Sequence, residues 1–75
     1  MIMPFTSFKE PADLSRAKRA LDAAWRQLEP EVPDFDRGDA RTRLAYIVAS
    51  YVHTAIDEGD LIRRAIERFR RKPSI

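Results

Sequence analysis

Cysteine is absent from all 75 residues. That removes disulfides and thiolate metal sites, and implies no oxidising compartment. Glycine is scarce: Gly38 and Gly59 are the only two, and neither sits in a glycine-rich run. A phosphate-cradling loop needs such a run, so nothing points to a nucleotide cofactor. There is one histidine, His53. With no thiolates beside it, a zinc site of three or four ligands would have to be completed by carboxylates. No cofactor and no metal are expected. Long apolar runs are missing too. The longest mostly apolar stretch, Leu44 to Ile56, is interrupted by Ser50, His53 and Thr54. It is too short to span a bilayer. The opening Met1-Ile2-Met3-Pro4-Phe5 has neither the basic start nor the apolar stretch of a secretory signal. The expected location is cytoplasmic, with no membrane partner.

What is present is charge, alanine and helical periodicity. The formal net charge is only +2, yet it is unevenly distributed. Residues 1–60 carry a net −3, whereas residues 61–75 carry a net +5 through Arg63, Arg64, Arg68, Arg70, Arg71 and Lys72 against Glu67. Ten of the apolar residues are alanine, and a chain this short buries a limited fraction of its surface. The core is therefore expected to be thin, and a partner surface would add to it.

Three segments carry helical spacing. Residues 1–9 read as an apolar N-terminal arm bearing Ile2, Phe5 and Phe8, broken by Pro4. The first helix starts near Glu10 or Asp13, with Pro11 suited to its first turn and Asp13 an alternative cap. Leu14, Ala17, Leu21, Ala24, Trp25 and Leu28 share one face at 100° per residue. Lys18–Asp22 and Asp22–Arg26 stand at the spacing of (i, i+4) ion pairs. Pro30 ends this helix, because the residue before proline avoids the α region. Residues 30–38 form a loop in which Val32 and Phe35 are expected to tuck against the core.

The second helix starts near Asp39, or at Asp36, and runs to Glu58, with Gly59 as its left-handed terminator. Leu44, Ile47, Val48, Tyr51 and Ala55 make one stripe, and Ala45, Ala49, Val52 and Ile56 an adjacent one. Half its circumference is then apolar, which fits a central helix contacted on two sides. Asp60 is expected to cap the third helix, which buries Leu61, Ile62, Ala65, Ile66 and Phe69 and stops before Pro73. The expected fold is all-α: a small three-helix bundle with helices over about residues 11–29, 39–58 and 60–72. The helical domain covers residues 10–72 and residues 73–75 form a tail.

Ser50, His53 and Asp57 would lie on one face of the second helix, beside Tyr46 and Thr54. A serine, a histidine and an acid invite a nucleophilic reading. Three side chains projecting outward from one regular helix, however, make no pocket and offer no free backbone N–H groups for an oxyanion. No catalytic residue is expected. His53 with Asp57 supplies at most two metal ligands.

The basic C-terminal helix is the strongest candidate for chemistry with a partner. Arg63, Arg64, Arg68, Arg70 and Arg71 occupy its exposed arc and could neutralise phosphates in a salt-dependent way. Basic side chains near a helix C-terminus are also favourable in their own right. A DNA-reading helix-turn-helix fits poorly. Gly59 and Ala55 sit at its small-residue positions, but the arginines cluster at the far end of the third helix rather than at its start. Lying on an anionic membrane would take the apolar face of that helix away from the core.

Thr42-Arg43-Leu44-Ala45-Tyr46-Ile47-Val48-Ala49, followed by Asp60-Leu61-Ile62-Arg63-Arg64-Ala65-Ile66-Glu67-Arg68-Phe69, resembles short uncharacterised helical proteins of alphaproteobacteria. The likeness covers residues 40–70. It implies a compact bacterial helical protein and carries over no activity and no functional residue. The expected function is a non-catalytic helical protein-interaction module that pairs with itself or with another protein. Its candidate interface is Phe5, Phe8, Ala45, Ala49, Val52 and Ile56. The rival expectation is an accessory protein that binds nucleic acid through the arginines of the third helix.

Overall fold

The computed structural model describes residues 11–71 as three helices. Helix α1 spans Pro11–Leu28, α2 spans Arg37–Tyr51 and α3 spans Glu58–Arg70. Two short 3₁₀ turns, Glu29–Glu31 and Asp34–Asp36, link the first two helices, and no strand occurs among the described residues. Each helix packs against both of the others, which makes a three-helix bundle. The N-terminal arm, with Phe5 and Phe8, lies outside the described residues.

The periodicity of α1 translates directly into burial. Ala17, Ala20, Leu21, Ala24, Trp25 and Leu28 are all in the core. The chain leaves the α-helix at Leu28, just ahead of the Glu29-Pro30 step, and tightens into a 3₁₀ turn closed by Val32 N–H donating to Glu29 O at 3.0 Å. Val32 is buried as its position in the loop suggests. Phe35 is not: it is 91 % exposed, so the expectation that it tucks inward is corrected. The 3₁₀ turn at Asp34–Asp36 starts after Pro33 and rolls straight into α2, which leaves no slack to fold the phenylalanine back.

The second correction concerns the end of α2. The helix stops at Tyr51, not Glu58, and residues 52–57 form a corner. Its last turn tightens as Thr54 N–H and Ala55 N–H both donate to Tyr51 O, at 3.0 and 2.9 Å. Tyr51, Val52, His53 and Thr54 are aromatic or β-branched residues and a histidine, all weak helix formers. The decisive competitor lies further on. Asp57 adopts an extended backbone, and its Oδ1 accepts the Asp60 N–H at 2.7 Å, which makes Asp57 the N-cap of α3. Asp60 is therefore not the cap but the third residue of the helix. Its Oδ2 reaches back to accept the Ile56 N–H at 3.0 Å. This reciprocal arrangement is an Asp-x-x-Asp variant of the capping box, displaced by one residue on its return bond. Gly59 falls in the first turn of α3 and has no positive φ, so it terminates nothing.

At the centre of the bundle sit Leu28, Leu44, Val48, Val52 and Leu61, all fully buried. Around them the core is alanine-rich: among the described residues, six of the fifteen buried apolar ones are alanines. Ion pairs tie the helices together at the rim. Arg19 of α1 meets Glu58 of α3 at 2.8 Å. Asp22 of α1 is taken by Arg41 of α2 at 2.9 Å, rather than by Lys18 or Arg26 along its own helix. The Arg41 guanidinium also lies 6.0 Å from the Trp25 ring centre. None of the helices is long and apolar enough to cross a membrane.

Candidate functional site

Ser50, His53 and Asp57 do not share a helix face, because α2 ends between the first and second of them. Each is engaged separately. The Ser50 hydroxyl donates to Ile47 O at 2.7 Å. His53 Nδ1 lies 3.8 Å from Asp13 Oδ2 on α1. Asp57 caps α3. The geometry brings no nucleophile, base and orienting acid together at this place. Among the described residues no group of three or more histidine or acidic side chains could hold a metal ion.

The arginine stripe divides in two. Successive residues of a helix turn by about 100°, so Arg63 and Arg70 lie on one flank of α3, and Arg64, Arg68 and Arg71 on the other. Glu67 runs along the exposed ridge between them. The first flank faces α1. There Arg63 pairs with Asp60, and Arg70 forks onto Glu31 with contacts of 2.5 and 3.3 Å. Their guanidinium pKa values are raised by these carboxylate hydrogen bonds. A groove of about 360 Å³ runs along this side, lined by Gln27, Ile62, Arg63, Ile66 and Arg70 among others.

The second flank faces α2. Arg64 Nε donates to Asp60 Oδ2 at 2.7 Å. Arg68 and Arg71 have no carboxylate within ion-pair distance among the described residues. Arg64, Arg68 and Arg71 line a smaller concavity of about 140 Å³ together with Glu67 and Tyr51. Further along the α2–α3 seam, Arg43 stacks over Phe69 with its guanidinium carbon 4.2 Å from the ring centre.

Asp60 is the hub beneath both flanks. It is 7 % exposed and receives the Ile56 N–H and the guanidiniums of Arg63 and Arg64. The Ile56 hydrogen bond first, and then the two arginines, hold its carboxyl far below the usual carboxylate range. Sequence reasoning recognised Asp60 only as a helix cap. The signal that could have found its role is the Asp57-x-x-Asp60 spacing followed by arginines at i+3 and i+4.

The candidate interface residues separate as well. Ala45 and Val52 are buried inside the chain's own core, Ala49 is half-buried, and Ile56 is 83 % exposed. Among the described residues, Tyr46, half exposed in the middle of α2, and Phe35 are the other large exposed apolar side chains. No family model, curated protein or solved structure matches this chain. The apolar side of α3, with Leu61, Ala65 and Ile66, is occupied by the core.

Proposed function

We propose that this protein is a small, non-catalytic helical interaction module that pairs with a second copy of itself through the outer face of α2. One observation carries the reading. Among the described residues the three large exposed hydrophobics lie along one helix: Phe35 before its start, Tyr46 at its middle and Ile56 beyond its end. Isologous pairing joins one patch to itself across a two-fold axis. Two α2 helices running antiparallel about Tyr46 would bring Phe35 of each copy towards Ile56 of the other. Ala49 on this side leaves room for close approach. The alanine-rich core supports the reading further, because association adds apolar burial that the isolated bundle lacks.

Sedimentation equilibrium tests it. At high micromolar concentration the mass should rise towards twice 8.7 kDa. Ile56→Lys should return it to that of a single chain while the helical circular dichroism stays unchanged. A wild-type chain that remains a monomer at that concentration overturns the proposal.

A further inference from the structure

We propose that Arg64, Arg68 and Arg71, with Tyr51, form a binding site for a phosphoryl group at the α2–α3 seam. The arginines of α3 have unequal fates. On the α1 side, Arg63 and Arg70 are each matched by a carboxylate. On the α2 side three guanidiniums converge on one concavity, and two of them have no acidic partner among the described residues. Among the described residues only Arg64 of this flank is matched by a carboxylate, which leaves two guanidinium charges uncompensated there.

The donor chemistry is that of an oxyanion receptor. Arg64 commits its Nε to Asp60, which fixes the orientation of its planar group. A guanidinium carries four more N–H donors on its terminal nitrogens. Arg68 stands one turn along and Arg71 nearly two, so their forks can approach the same group from successive turns. Bidentate guanidinium contacts suit the tetrahedral oxygens of phosphate. Tyr51 closes the concavity from α2. Its half-buried position places an aromatic side chain beside the anion. Glu67 lines the same rim and limits the site to one such group, because a second would face its carboxylate. The phosphoryl group can belong to a nucleic-acid strand or to a small phosphate ester, since both present the same oxygens. The site is independent of the self-pairing reading, because Arg68 and Arg71 lie on α3, away from the outer face of α2.

The test uses the whole chain and two double variants of equal charge. In Arg68→Gln/Arg71→Gln the proposed site is stripped. In Lys18→Gln/Arg26→Gln two exposed α1 cations are removed instead. Inorganic phosphate is titrated while the amide resonances of Tyr51, Arg68 and Arg71 are followed by NMR. A labelled mixed-sequence single-stranded RNA is titrated by anisotropy at low and near-physiological salt. The expected result is phosphate-induced shifts confined to these residues, with RNA affinity lowered about tenfold or more in the α3 variant and little changed in the α1 variant. With two phosphate contacts gone, the slope of log K against log salt should shrink by about 1.4. Phosphate shifts without RNA binding assign the site to a small phosphate ester. Absence of both, or equal losses in the two variants, overturns the proposal.

Discussion

Asp60 shows how much one carboxylate can organise. It stands in the first turn of α3, where an acid is favoured by the helix dipole, and it closes the corner by holding the Ile56 N–H. Its carboxyl is depressed well below the ordinary range. A depressed carboxylate contributes stability that is fully present above the unfolded-state pKa, near 3.9, and is lost as pH falls through the folded value. The melting temperature of the wild type should therefore exceed that of Asp60→Asn at neutral pH. The gap should narrow as the pH drops from about 4 towards 2. Thermal denaturation of both chains across that interval checks it; a gap that stays constant contradicts the role. Gly59 makes the complementary case. A glycine that ended a helix in the left-handed region would resist replacement, but Gly59 has no such backbone and an added Cβ would meet only Asp57 Oδ1 at an ordinary 3.4 Å. Gly59→Ala should raise stability by a few tenths of a kcal/mol, up to about 0.5, in urea denaturation, because alanine restricts the unfolded backbone more than glycine and fits the first helical turn.

Among the elements, the corner between α2 and α3 decides the most. Asp57 would be an ordinary exposed residue if α2 ran on to Glu58, and replacing it there by alanine, the best helix former, would help. As the N-cap of α3 it satisfies the Asp60 N–H. Asp57→Ala should consequently cost about 1 kcal/mol, read from the urea midpoint at constant m-value. A gain would restore the longer α2. The corner also separates the helices by residues 52–57. That is longer than the three- to four-residue turn of a DNA-reading helix-turn-helix. Within α3, the same 100° step that buries Leu61, Ala65 and Ile66 on one side splits the arginines between the α1 and α2 flanks.

For the whole molecule the balance is between a small core and a large surface. Fully buried Leu28, Leu44, Val48, Val52 and Leu61 form a compact centre, but alanine supplies much of the remainder. The proposed self-pairing would stabilise the chain by mass action. Its melting temperature is expected to rise with protein concentration, and Ile56→Lys should abolish that dependence. Differential scanning fluorimetry over a wide concentration range reads both.

The sequence by itself was sufficient for the all-α class, for three helices and for most of the buried face of α1. The apolar spacing from Ala17 to Leu28 and from Leu61 to Ile66 has one periodicity only. It was also sufficient to exclude thiolate chemistry and a glycine-rich phosphate loop. It misplaced the α2–α3 corner because an aspartate pair and a glycine satisfy two local rules at once. Gly59 can end one helix, and Asp57 can begin the next. Tertiary packing chose between them by burying Val52 and leaving Ile56 outside, so that Asp60 could reach the freed Ile56 N–H. Likewise, composition placed five arginines on the exposed arc of one helix, but not their partners. Glu31 reaches Arg70 because the 3₁₀ turn after α1 brings its carboxylate across to α3, whereas Asp60 meets Arg63 and Arg64 at the i+3 and i+4 spacing of its own helix. The Glu31–Arg70 distance depends on how the elements pack, and no spacing along a single helix encodes it.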